Sequence, residues 1–99
     1  MKTFESTAPV TIRYGREGDA EALTRLAQLD SHDELKGFVL VGEVGGEIWA
    51  AVSLTDYAVV ADPFRPSGEL AFLLVERARQ LRRHEGRRRR RAARRPAFA

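Results

Sequence analysis

The chain has 99 residues, enough for one domain, and 43% of them are hydrophobic. It has no cysteine, which excludes disulfides and thiolate metal sites, and His32 and His84 lack the spacing of metal ligands. The longest apolar run, Leu70–Val75, is too short to span a membrane, and the first residues contain no signal-peptide run. We therefore expect a cytoplasmic protein without a metal.

Acidic and basic residues are separated along the chain. Residues 1–76 hold 13 acidic and 6 basic residues, whereas residues 77–99 hold 11 arginines and one glutamate. The formal net charge of +3 is therefore the sum of an acidic body and a strongly basic end. This asymmetry predicts an appended basic tail rather than a basic face on the fold.

The first predicted elements are a strand and a helix. Residues 1–9 are polar and should form a flexible N-terminus. Val10–Tyr14 alternates apolar and polar residues, which indicates a strand. Asp19–Leu29 places apolar residues at helical spacing behind carboxylates in its first turn, which indicates a helix. Asp30–Gly37 should be a loop.

Three more strands are predicted in the middle of the chain. Two apolar runs joined by Gly45-Gly46 predict a hairpin, and a third run follows a turn at Thr55-Asp56; these runs are Phe38–Val44, Glu47–Leu54 and Tyr57–Ala61. Simple alternation in the second run places Ile48, Ala50, Val52 and Leu54 on one side and Trp49 and Ala51 on the other. Both sides are apolar, so we expect a sheet covered on both faces.

A last helix is predicted at Ser67–Arg83, after two prolines that end the third run. Its apolar stripe is Leu70, Leu73, Leu74, Ala78 and Leu81. Gly86 should stop it, and the five arginines Arg87–Arg91 should repel one another, so residues 86–99 are expected to be a disordered tail. The fold prediction is α+β: a mainly antiparallel sheet of about four strands and two helices, in the order β-α-β-β-β-α.

Three segments carry a family resemblance. They are Thr11-Ile12-Arg13-Tyr14 with the helix start Asp19-Ala20-Glu21-Ala22-Leu23, the hairpin at Gly45-Gly46-Glu47-Ile48, and the segment from Val60 to Leu74. In this order they resemble the opening strand and helix, the second and third strands, and the cofactor-binding loop of the GNAT superfamily of acyl-CoA-dependent acyltransferases. The resemblance runs from about Thr11 to Leu81, which implies the front half of that fold within residues 10–85.

The resemblance also implies a cofactor loop, at Arg65, Ser67 and Gly68. The family loop reads Arg/Gln-x-x-Gly-x-Gly/Ala, and its backbone N–H groups hold the coenzyme A pyrophosphate at a helix N-terminus. Here Pro66 has no N–H to donate, Glu69 adds negative charge, and Leu70 stands at the second glycine position, where its side chain is expected to crowd the approach. We expect an acetyl-CoA loop that is degenerate, and no catalytic residue is assigned. The alternative for these three residues is a strand-to-helix turn with a serine cap.

These observations leave three functional hypotheses. The first is a non-catalytic module that self-associates, as a homodimer or with a partner chain, because the last strand, Tyr57–Ala61, would be unpaired and Phe72 and Val75 would lie off the main helix stripe. The second is an acyl-CoA-dependent N-acyltransferase completed by dimerisation or a partner chain.

The third hypothesis is non-specific binding of nucleic acid or an anionic surface through the basic tail, at Arg87, Arg88, Arg89, Arg90 and Arg91. The tail can also be read as a solubilising extension without a selected partner. No aromatic residue interleaves Arg87–Arg95, so base stacking is not expected from the sequence.

Overall fold

A four-stranded antiparallel sheet forms the centre of the protein. The computed structural model describes residues 8–93. In chain order the elements are β1 (Val10–Tyr14), a 3₁₀ turn (Glu17–Asp19), α1 (Ala20–Leu29), β2 (Val39–Val44), β3 (Glu47–Ser53), β4 (Val59–Ala61) and α2 (Gly68–Ala93). The strands lie in the order β1-β2-β3-β4, each antiparallel to the next. The predicted α+β fold and the order β-α-β-β-β-α are confirmed.

The N-terminus predicted to be flexible lies outside the described residues, except for Ala8 and Pro9. The carbonyl of Pro9 accepts a hydrogen bond of 2.9 Å from the amide of Gly45 in the hairpin turn. That turn is the predicted one, since Gly45 and Gly46 both have positive φ, at 61° and 87°. A side chain in this region of backbone space costs energy that glycine avoids.

The sheet is covered on both faces, as predicted. One cluster of buried residues lies between the sheet and α2, and it comprises Leu40, Val44, Ala50, Val52, Leu70, Leu74 and Ala78. The other lies between the sheet and α1, and it comprises Leu26, Ala27, Val39, Val41, Ala51 and Val60. The sheet thus separates two small cores, which explains why its central strands are apolar on both sides.

A β-bulge changes the predicted alternation in β3. Gly42 pairs with Ala50, whereas the next residue of β2, Glu43, pairs with Ile48, so Trp49 is the extra residue. Ile48 consequently packs in the α1 cluster, while Trp49 packs against the α2 cluster with Ala50. The prediction that Ile48 shares a face with Ala50, and Trp49 with Ala51, is therefore wrong.

Gly42 allows α2 to lie close to the sheet. A Cβ atom at this position would come within 2.9 Å of three side-chain atoms of Leu70. Leu70 itself is 1% exposed and belongs to the first turn of α2. The helix therefore begins directly above β2, with its first leucine seated on a residue that has no side chain.

The end of α2 differs from the prediction. The helix does not stop at Gly86 but continues to Ala93, so the residues of the predicted disordered tail that the structure describes are helical. Gly86 is not among the glycines with positive φ. Arginine is a good helix former, so the run after Gly86 can extend the helix despite its charge repulsion. The rest of the predicted tail, Arg94–Ala99, lies outside the described residues.

Candidate functional site

The loop predicted to bind a cofactor is held by its own hydrogen bonds. Asp62 accepts a bond of 2.8 Å from the amide of Phe64, and the buried hydroxyl of Ser67 donates one of 2.9 Å to the carbonyl of Asp62. The carbonyl of Ser67 accepts the first helical bond, from the amide of Ala71. Ser67 therefore begins the helix, and its side chain holds the preceding loop in place.

The positive charge of Arg65 is paired with acidic side chains, and its guanidinium lies near an aromatic ring. Its Nη2 lies 2.8 Å from Oε1 of Glu47, and its Nε lies 3.8 Å from Oδ2 of Asp62. The guanidinium carbon also lies 5.2 Å from the centre of the Trp49 ring, within the range of a cation–π contact. A phosphate that approached Arg65 would therefore have to compete with two carboxylates.

Gly68 and Leu70 also take roles other than those of a phosphate loop. A Cβ atom at Gly68 would meet nothing within 4 Å, so no other part of the protein packs closely against this glycine. Leu70 was expected to crowd the cofactor, but its side chain is buried between α2 and the sheet. The structure thus places Arg65, Ser67 and Gly68 together where the turn after β4 enters α2.

The second half of α2 carries a different feature, a groove rich in arginine. The groove has a volume of about 420 Å³ and is shallow; its described lining consists of Tyr57, Arg79, Arg82, Arg83, Gly86, Arg87 and Arg90. The helical members recur at intervals of one, three or four residues, which places them on one side of a helix. We call this set of residues the arginine groove.

Tyr57 is the aromatic member of the arginine groove. Its ring centre lies 5.4 Å from the guanidinium carbon of Arg79 and 5.4 Å from that of Arg82. Arg82 also donates from Nη1 to the carbonyl of Thr55 at 3.4 Å. The loop between β3 and β4 therefore orients two arginines of the helix at one end of the groove.

The turn that presents Tyr57 is tightly held. The hydroxyl of Ser53, which is fully buried, accepts bonds from the amides of Thr55 and Asp56 and donates one to the carbonyl of Lys36. Asp56 accepts a bond of 3.0 Å from the amide of Ala58, and this bond lowers the pKa of the Asp56 carboxyl. Asp56 is thus a turn residue, as predicted.

Tyr57 adopts a backbone conformation that is unusual for a large side chain. Its φ is +63°, in the left-handed region. The predicted third strand begins at Tyr57, but β4 begins only at Val59, because the chain at Tyr57 is still turning. No sequence signal links Tyr57 to arginines 22 to 33 positions later, so the sequence did not identify this contact.

The electrostatics of the groove favour a multivalent anion. Five guanidinium groups and no carboxylate are found among the described residues that line it. Glu85, the one acidic residue between Arg77 and Ala99, instead lies 3.8 Å from Arg89, outside the lining. The groove therefore presents a concentrated positive charge to solvent, beside one aromatic ring.

Other chemistries find little support within residues 8–93. No group of three His, Cys, Asp or Glu side chains in that range is arranged to hold a metal ion. Both histidines are exposed. Of the two described helices, neither has the length and apolar character required to cross a bilayer.

Comparisons with protein-family models, with curated proteins and with solved structures found no match.

Proposed function

We propose that this protein binds nucleic acid, without catalysis, through the arginine groove. The observation that carries the proposal is the grouping of five arginines and Tyr57 on one side of α2. A polyanion gains from such a site because each phosphate that pairs with a guanidinium releases condensed counterions. Tyr57 is the one groove member that is neither arginine nor glycine, so the lining offers binding groups rather than a general base.

The charge density of the helix supports a phosphate backbone as the ligand. The five groove arginines lie between Arg79 and Arg90, over about 16 Å of helix at 1.5 Å per residue. This is about one positive charge per 3.3 Å, close to the one negative charge per 3.4 Å of a single DNA strand. A single phosphate or a small anion would use only a fraction of this charge.

The position of the groove also supports binding to a long ligand. Ala78 is the last fully buried residue of α2, and Leu81 is half-buried. From Arg82 to Ala93 the helix extends for roughly 18 Å past these core contacts. A strand can therefore run along the groove without displacing the body.

A matched pair of variants tests this proposal. Arg83→Gln, Arg87→Gln and Arg90→Gln together remove three of the five charges of the groove, and Arg77→Gln, Arg88→Gln and Arg91→Gln remove the same charge elsewhere on the helix. If each contact contributes a salt slope of about 0.7 for a single strand, the groove variant should lose about 2 from the slope and about 100-fold in affinity at 0.1 M salt. The matched variant should lose less than 10-fold in affinity, because its three arginines lie outside the groove lining.

Fluorescence anisotropy with a labelled oligonucleotide measures both quantities. Equal losses in the two variants would contradict a groove and indicate a diffuse charge effect. Wild-type protein that binds no oligonucleotide at low salt would overturn the proposal. Binding to vesicles containing phosphatidylserine, without binding to oligonucleotides, would identify an anionic membrane surface as the ligand instead.

Self-association is a second candidate function, favoured by an exposed apolar pair on α2. Phe72 is 63% exposed and Leu73 is 47% exposed. Val75, the other residue expected at this contact, is half-buried against the α2 cluster, so a charge there would disturb the core. The edge of β4 is a weaker candidate, because the amide of Ala61 donates to Asp30 at 3.1 Å.

Sedimentation equilibrium of Phe72→Glu tests this second candidate. The variant should shift a dimer towards monomer, whereas Phe64→Glu, at a still more exposed loop position, should not. Wild-type protein that sediments as a monomer at high micromolar concentration would rule out the dimer.

A further inference from the structure

Tyr57 occupies its place in the arginine groove at a conformational cost. A bulky residue with φ of +63° is an outlier, and holding it there costs conformational energy. Glycine or asparagine would satisfy the same turn at a lower cost. The turn is instead fixed by Ser53 and Asp56, and it directs a half-buried aromatic ring towards α2.

The ring also lies beside arginines that would hold a phosphate backbone. Arg79 and Arg82 flank Tyr57 at 5.4 Å each, and the other groove arginines continue from them along the helix. A strand whose phosphates lie on those arginines brings its bases within reach of the ring and of the flat guanidinium groups. Aromatic rings and arginine planes are the surfaces on which unpaired bases stack.

We propose that Tyr57, with Arg79 and Arg82, forms a base-stacking subsite, so that the ligand of the arginine groove is a single-stranded nucleic acid. This inference rests on the proposed function. Bases inside a duplex are already stacked on both faces and present only their edges in the grooves. Phosphate contacts alone would bind a duplex and a single strand alike. Stacking on Tyr57 would strengthen the binding of the single strand only.

The test compares three polyanions on one set of variants. The ligands are a single-stranded oligonucleotide of about 16 nucleotides, the corresponding duplex, and heparin, which has charge but no bases. Tyr57→Leu should weaken single-strand binding by about 5- to 150-fold, the loss expected for one stacked base. It should weaken duplex and heparin binding by a clearly smaller factor, because those ligands use the arginines and not the ring. Tyr14→Leu removes an exposed tyrosine of β1 that is outside the groove lining, and it should change none of the three.

A second substitution covers the case in which Tyr57→Leu does not fold. Tyr57→Trp keeps an aromatic ring with a larger stacking surface, so it should strengthen single-strand binding alone, by a few-fold. Equal losses on all three ligands in Tyr57→Leu, or no gain in Tyr57→Trp, would overturn the inference and assign Tyr57 to positioning Arg79 and Arg82. A variant pair with no effect on any ligand would assign Tyr57 to packing. Failure of the proposed function is distinct, since wild-type protein would then bind neither oligonucleotide.

Discussion

The guanidinium of Arg13 on β1 and the carboxylate of Asp19 at the start of α1 form a two-point ion pair. Nη1 lies 2.8 Å from Oδ2, and Nη2 lies 3.0 Å from Oδ1. The same guanidinium binds Glu43 on β2, with Nη2 at 2.7 Å from Oε2. One side chain therefore joins two strands to the first helix, at a site where Asp19 is only 6% exposed. Planar guanidinium groups are well suited to this bidentate role.

This pair predicts a pH dependence of stability. The hydrogen bonds from Arg13 lower the pKa of Asp19 to about 2 from its usual 3.8. A carboxyl with a depressed pKa stabilises the fold above its unfolded pKa, and this contribution is lost as the pH falls through the folded value. At pH 7, Asp19→Asn should lower the free energy of unfolding by roughly 2 kcal/mol, the contribution of a largely buried carboxyl whose pKa is lowered this far.

Urea unfolding at a series of pH values measures the effect. The difference between wild type and Asp19→Asn should shrink between about pH 4 and pH 2, where Asp19 becomes protonated. Asp33→Asn, at an exposed loop position, should match wild type throughout. A difference that stays constant down to pH 2 would show that the loss comes from packing rather than from charge.

The contact between Gly42 and Leu70 predicts a loss of stability in Gly42→Ala. The new Cβ would lie 2.9 Å from Leu70 atoms that are themselves buried, so the helix or the strand must move. Overpacking of this kind typically costs about 1–3 kcal/mol. Gly18→Ala adds the same methyl group where nothing lies within 4 Å, and its midpoint in thermal unfolding should stay near that of wild type. A Gly42→Ala variant as stable as wild type would contradict the close approach.

Gly86 gives a test of where α2 ends. Inside a helix, Gly86→Ala is favourable by about 0.5–1 kcal/mol, whereas at a left-handed helix end it is unfavourable. The Cβ would lie 3.7 Å from Nη1 of Arg90, an ordinary contact. We expect more helical signal in circular dichroism and roughly 2- to 5-fold slower hydrogen exchange around residue 86, the equivalent of that free energy. A smaller helical signal in Gly86→Ala than in wild type would support the predicted end of the helix at Gly86.

Acetyl-CoA should bind weakly or not at all. Arg65 is paired with Glu47 and Asp62, the Ser67 hydroxyl donates to the Asp62 carbonyl, and Pro66 has no amide proton to offer. Isothermal titration calorimetry should show no saturation in the low micromolar range. The matched variant is Glu47→Gln, which removes the carboxylate closest to Arg65. If acetyl-CoA binds this variant but not the wild type, the ion pair between Arg65 and Glu47 blocks the loop. A low micromolar dissociation constant for wild type would favour the acyltransferase hypothesis.

Local pattern was sufficient to predict most elements of the fold. Alternation identified β1 at its observed bounds, and Gly45-Gly46 marked the hairpin. Helical spacing identified Leu70, Leu74 and Ala78 as buried, but it wrongly included Leu73, which is 47% exposed. These features depend on residues that are close in sequence, so short-range rules apply to them. The α+β class then followed from the order of the elements.

Other errors arose where distant parts of the chain decide the outcome. The bulge at Trp49 depends on how β2 pairs with β3, which alternation within β3 alone does not report. The error at Gly86 is instead local, because glycine weakens helices but the good helix formers on both sides continue this one. Tyr57 belongs to the candidate site only because the β3–β4 turn and α2 are brought together in space. These contacts are tertiary, and the sequence pattern does not contain them.

The projection of α2 past the body has a consequence for hydrodynamic measurements. The radius of gyration is 16.1 Å, whereas a compact chain of 99 residues has one of about 13 Å. With principal extents of 57 × 28 × 20 Å, a single copy tumbles as a prolate particle. It should elute from a size-exclusion column ahead of a spherical standard of equal mass, so a monomer would be misread as an oligomer. A mass from sedimentation equilibrium or light scattering does not depend on this shape, and the copy number should be taken from such a mass.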